Sequence, residues 1–174
     1  MTQEEITLQA INGQRFSIET AMMYHERRVL FWEVLAFIAR VFEFFTTSAA
    51  AVFLFQDQTL ETTRWMVLAA ALFAFLVIAL DAQRRIKHNA RQRARMGELR
   101  LRVPHNLATV TEAQLEEIVR DRKRIELDDG VLLECFAMIC HNRQCMAEGN
   151  PDGKVPINWW EWSVGRFFPV PYRS

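Results

Sequence analysis

The stretch Leu35–Phe55, LAFIARVFEFFTTSAAAVFLF, is long and apolar enough to read as a membrane-crossing helix, yet it holds Arg40 and Glu43 near its middle. A charge at the centre of a lipid-facing helix costs about 2.5–3.5 kcal/mol on insertion scales, so such residues turn toward protein or water. Arg40 and Glu43 stand three apart, close enough to meet on one helix surface. At about 100° per residue, Glu33, Arg40, Thr47 and Ala51 nearly line up, with Glu43 and Ser48 beside them. The opposite face carries Val34, Phe37, Val41, Phe45 and Phe55. One side suits lipid and the other is penalised by it.

A second block, Trp65–Leu80 (WMVLAAALFAFLVIAL), has no charge at all. A bilayer core takes roughly 20 apolar residues in a helix. Thr62, Thr63 and a snorkelling Arg85 bring this block to that length. The short link QDQTLETTR makes the two blocks antiparallel neighbours. Arg27 and Arg28 precede the first block, and Arg84, Arg85, Lys87, Arg91, Arg93 and Arg95 follow the second. The link offers Arg64 beside Asp57 and Glu61, so the positive-inside rule puts both termini in the cytoplasm. Trp32 and Trp65 fall near the two boundaries.

The expected fold is an all-α membrane protein. A cytoplasmic arm and helix (1–33) lead into a two-transmembrane hairpin (34–81, spans about 34–55 and 63–81). A cytoplasmic helical domain (82–174) with an aromatic tail follows. Two spans enclose nothing, so the polar face meets copies of itself in a homo-oligomer, a tetramer or similar ring. Small residues at 46–51 allow close helix approach. In that ring Glu33, Arg40, Glu43, Thr47, Ser48 and Ala51 line a pore, since rings of charge set selectivity in channels. Two other readings stay open: an Arg40–Glu43 staple between subunits with no conduit, and a buried helix of a soluble protein.

Zero formal net charge over 174 residues hides a strong polarity. Residues 84–102 hold many cations and one acid, Glu98. Such a segment anchors topology against anionic lipid. It also suits an anionic cytoplasmic ligand, a nucleotide or oligonucleotide. The candidate ligand-binding residues are Arg84, Lys87, His88, Arg91 and Arg95, with Arg122 and Arg124 from the next helix. The 3 cysteines, Cys135, Cys140 and Cys145, sit in one short segment without a CxxC and read as reduced buried thiols. The first residues are polar and acidic, with no apolar signal core.

Residues 1–14 read as a loose arm, and a helix starts near Phe16, with Ser17 a possible cap. The helix after the second block ends by Val103-Pro104. Another spans Thr109–Asp129, opened by a capping box of Thr109 with Glu112 or Thr111 with Gln114. A further helix covers Val131–Ala147. Tyr24, His25 and Arg28 read as structural anchors at a membrane interface, without zinc spacing. Adjacent Cys140 and His141 do not share a helix face, which removes them as a catalytic dyad. His141 and Asn142 are expected to bond Asp128 or Asp129 across the Gly130 turn. The aromatic tail (Trp159, Trp160, Trp162, Phe167, Phe168) lies on the membrane or covers the cytoplasmic helices. No Walker loop, GxSxG or metal-ligand cluster is present, so no catalytic residue, metal or cofactor is assigned.

The chain resembles the SLATT group, bacterial two-transmembrane effector modules associated with nucleotide second messengers. The resemblance rests on YHERRVLFWE before the first block, the short link, the basic helix after the second, and RKRIELDDGVLLECFAMICHN, an acidic turn followed by a Cys-His-Asn element. It covers roughly residues 20–145. It implies a pore-forming effector of anti-phage defence in the bacterial inner membrane, opened by a signal that a nucleotidyltransferase-type partner encoded nearby makes. Depolarisation and growth arrest would follow. The alternative is a non-conducting membrane scaffold or adaptor that recruits a cytoplasmic partner.

Overall fold

The computed structural model describes residues 3–54, 65, 68, 69, 71–73, 81–103, 111–129 and 132–165. Every regular element among them is helical: α1 (Gln3–Leu54), α2 (Ala82–Arg102), α3 (Glu112–Leu127), α4 (Glu134–Ala147), a 3-10 turn (Pro151–Gly153) and α5 (Trp159–Val164). The expected loose arm is instead the first turns of α1, which begins at Gln3. Ser17 does not cap; within the helix its hydroxyl donates to the Gly13 carbonyl at 2.9 Å.

The expectation of a two-span membrane fold is corrected. Among the described residues no helix is long and apolar enough to cross a membrane. The placement in a bacterial inner membrane with both termini cytoplasmic is corrected with it. Length is not what fails, since α1 runs for 52 residues. Glu33, Arg40 and Glu43 interrupt the apolar run of α1. Most of the expected second span, and the link before it, lie outside the described residues.

The chain divides into two compact units, Met1–Glu26 with Ala90–Ser174, and Arg27–Asn89. The first holds two apolar cores. One joins Ile11 and Ile18 of α1, Met96 and Leu99 of α2 with Val103 just beyond, and Ile118 and Ile125 of α3. These recur at spacings of three, four or seven, which put them on one stripe of each helix. Burying each large aliphatic side chain contributes about 1.5–3 kcal/mol. The other core sets Tyr24 of α1 against Leu133, Phe136, Ile139 and Cys140.

Caps set the helix ends. Of the two boxes weighed for α3, Thr111 with Gln114 forms: the Thr111 hydroxyl accepts the Gln114 N–H at 3.4 Å, and the Gln114 side chain accepts the Thr111 N–H at 3.0 Å. α4 ends at Ala147, and Gly149 just beyond it has a φ of +70°, the left-handed geometry a helix stop uses. The Asn150 N–H closes that stop on the Cys145 carbonyl at 2.8 Å.

Candidate functional site

Basic residues of α2 act first as latches inside the first unit. Arg100 donates to Glu19 at 2.6 Å, and Gln144 donates to the other Glu19 oxygen at 2.7 Å, so one carboxylate ties α1, α2 and α4 together. Arg95 donates to Asp128 at 2.6 Å, Arg102 to Asp121 at 3.1 Å, and Arg93 lies 3.4 Å from Glu26. The Arg95 hydrogen bond holds the Asp128 carboxyl below its ordinary range, helped by the charges of Arg95, Arg91 and Arg124, while partial desolvation works the other way. Arg122 pairs with Glu126 at 3.3 Å one turn on.

The expected ligand-binding set is therefore split. Arg91, Arg95, Arg122 and Arg124 belong to the first unit, and three of them act on Asp128. Arg84, Lys87 and His88 belong to the second. There Arg84 lies 3.9 Å from Asp81, and the Arg85 guanidinium sits 5.0 Å over the buried Trp32 ring.

The expected structural residues take different partners from those foreseen. Tyr24 and His25 are not interfacial anchors, for both are only 3% exposed. The Tyr24 hydroxyl accepts the Leu133 N–H at 3.1 Å, and His25 Nδ1 lies 3.8 Å from Asp129. Arg28 is half-buried in the second unit. His141 and Asn142 turn away from the acidic turn. His141 Nε2 meets the Gly153 carbonyl at 3.1 Å. The Asn142 amide donates to the Val155 carbonyl at 2.7 Å and accepts the Val155 N–H at 2.8 Å, as a neighbouring strand would. His141 does approach a thiol, but it is Cys145, one turn on, with Sγ 3.5 Å from Nε2. That pairing is readable from the i, i+4 spacing. The three cysteines are buried and form no disulfide, and burial raises the Cys135 thiol, with the charges of Glu161 and Glu134 adding to it.

A cavity of about 290 Å³ opens within the first unit. Phe16, Ala21, Met96, Leu132 and Ala137 form its apolar wall. Its polar lining includes Thr20, His25, Asp129, Glu126 and His141. Phe16 meets the His141 ring edge-on, with centroids 5.0 Å apart. The Thr20 hydroxyl oxygen is buried with no hydrogen-bond partner. No lysine or arginine stands among the described lining residues. Reading the sequence missed this site, because its walls come from four separate segments.

The second unit presents a surface of another kind. Leu30, Val34, Phe37, Ile38, Phe44 and Phe45 of α1 are all exposed, Phe37 and Phe44 by about two thirds. At about 100° per residue they share one face of the helix, about 120° wide. Trp32, Ala36 and Ala39 are buried on the opposite side. Glu33 and Arg40, seven apart and both exposed, run along one flank of the apolar stripe. Of the other expected pore-lining residues, Glu43 and Ser48 are exposed, while the side chains of Thr47 and Ala51 lie outside the described ones. Trp159, Trp160 and Trp162 of α5 are exposed too, and Phe167 and Phe168 lie outside the described residues. No family model, curated protein or solved structure matches the chain.

Proposed function

We propose that this protein is a non-catalytic effector that acts by self-assembly, with the stripe on α1 in Arg27–Asn89 as the contact between copies. The observation that carries this reading is the exposed row Leu30, Val34, Phe37, Ile38, Phe44 and Phe45. Contiguous apolar surface of this kind marks an interaction site in a native protein. The flanking charges favour a second copy as the occupant. Glu33 and Arg40 occupy the same position of successive heptads. In an antiparallel pair of identical helices centred near Phe37, Glu33 of each copy comes beside Arg40 of the other, twice, as a two-fold contact requires. Cys145 and His141 do not argue for catalysis, because Cys145 is buried and its thiol donates to the Gly153 carbonyl at 3.4 Å.

The resemblance to SLATT effectors supplies the biological setting of the proposal: a bacterial conflict system in which a partner enzyme's nucleotide signal acts on the assembled effector and arrests growth. It rests on the motifs Tyr24–Glu33 and Arg122–Asn142, the short link and the basic helix after the second block.

Sedimentation of the full chain at micromolar concentration, with and without liposomes, tests self-assembly. The wild type is expected as an oligomer, and the double variant Phe37→Ser/Phe44→Ser as a monomer. Arg40→Glu alone should weaken assembly, and Glu33→Arg with Arg40→Glu should restore it. A monomeric wild type, a swap that fails to restore, or a chain that floats with liposomes as single copies overturns the reading.

A further inference from the structure

We infer that the outer face of α3 is a second two-fold contact between copies of this chain, one that joins pairs made through α1 into tetramers or longer assemblies. The joining of pairs rests on the assembly proposed for Arg27–Asn89. The α3 contact itself does not, since every residue in it belongs to the other unit.

Ile118 and Ile125 turn one side of α3 into the core. An open groove of about 620 Å³ runs along the side turned away, and the described residues that line it all come from α3. Val119 gives it a half-buried apolar edge, and Leu127 stands at its end, 84% exposed. Charge says what covers this face. Glu112 and Glu116 hold its first half and Arg120 and Lys123 its second, all of them exposed. Among the described residues none of these charges makes an ion pair. Glu116 and Arg120 stand at the i, i+4 spacing that suits a pair within one helix, as Arg122 and Glu126 show at 3.3 Å, and still they do not pair.

A second α3, antiparallel to the first, complements them. Glu112 with Lys123 and Glu116 with Arg120 have nearly the same midpoint, at Ile118. A two-fold axis at that height sets Glu112 of each copy beside Lys123 of the other, and Glu116 beside Arg120 of the other. The members of each couple lie only about 20° and about 40° apart around the helix, so they meet on the same side of the seam. Val119 meets its own copy near the axis, and Leu127 reaches over the capped start of the other helix. A parallel copy would set acid against acid and base against base. Exposed ion pairs are weak one at a time, so this contact alone holds only at high concentration. Between two pairs already joined through α1 it forms twice, and the second time within one assembly, which raises the apparent affinity.

Sedimentation of the full chain carrying Phe37→Ser/Phe44→Ser, which removes the α1 contact, isolates α3. It is expected to dimerise at about 1 mM, with Kd above about 100 μM, and so to stay monomeric at micromolar concentration. In that background Glu112→Lys/Glu116→Lys and Arg120→Glu/Lys123→Glu should each stay monomeric at the higher concentration. Their equimolar mixture should dimerise, because mixing restores every opposed charge; a misfolded variant could not do so. With the α1 stripe intact and at micromolar concentration, each charge variant should stop at two copies where the unaltered chain goes to four or more. A chain without the α1 contact that is monomeric at the higher concentration gives this face to another occupant and overturns the inference. A mixture that fails to dimerise, or charge variants that dimerise unaided, overturn it too. A wild type that is monomeric at micromolar concentration sinks the joining of pairs together with assembly through α1, whereas the α3 dimer is read at the higher concentration independently of it.

Discussion

Tyr24 illustrates how a residue that looks interfacial becomes structural. A tyrosine beside His-Glu-Arg-Arg fits a membrane edge by composition, and the same amphipathic ring fits a core if its hydroxyl finds a partner. Here it does, on the N–H of Leu133 at the residue before α4. Tyr24→Phe leaves that buried N–H unmet, which costs about 1–3 kcal/mol. Urea unfolding should show the midpoint falling with an unchanged slope; an unchanged midpoint would mean that another acceptor takes over. Gly165 makes a second case. A Cβ there would collide with the Cys135 Cβ and lie 2.5 Å from the Glu161 carbonyl, so α5 reaches α4 because position 165 has no side chain.

At the scale of elements, α4 organises the chain that follows it. Asn142 holds Val155 by both backbone groups, and His141 with Cys145 holds the Gly153 carbonyl. Asn142→Leu removes both bonds to Val155, and hydrogen exchange at the Val155 amide should accelerate at least tenfold while the α3 amides keep their protection. Equal acceleration in α3 would show general loosening instead. The link between α2 and α3 is electrostatic and carries a pH signature. The Asp128 carboxyl titrates below its ordinary value of 3.8 in the folded chain. A lowered folded value means the contribution is fully present above the unfolded value and is lost as pH falls through the folded one. Acid titration of stability should therefore show a loss beginning near pH 4 that is smaller in Asp128→Asn. Identical acid profiles would assign the loss to other carboxylates.

For the whole molecule, the two units differ in what they leave to water. The first gathers apolar residues into two cores, while Leu101, Leu127 and the tryptophans of α5 stay exposed. The second leaves large aromatic and aliphatic side chains of α1 outside, with Trp65, Leu68 and Leu72 exposed as well. If copies cover that surface, thermal unfolding becomes concentration-dependent by mass action. The midpoint should rise with protein concentration in the wild type and stay flat in Phe37→Ser/Phe44→Ser; a flat wild type would count against assembly.

Local pattern by itself determined the helical class, the stop of α2 ahead of Pro104 and the buried state of the three cysteines, and narrowed the start of α3 to two capping boxes. Each depends on neighbours within a turn, where spacing and side-chain reach are enough. The membrane expectation came from apolar length, and the run around Arg40 and Glu43 did not hold up as a crossing helix among the described residues. Tertiary structure alone decided the partners. The acidic turn takes Arg95 and His25 in place of His141 and Asn142, Arg93, Arg95, Arg100 and Arg102 of α2 go to Glu26, Asp128, Glu19 and Asp121, and the cavity collects Thr20, Met96, Asp129 and His141 from four segments. Charges and hydroxyls bond whatever the packed helices bring within about 3 Å, and that proximity is set by the apolar stripes, which carry no information about the polar residues between them.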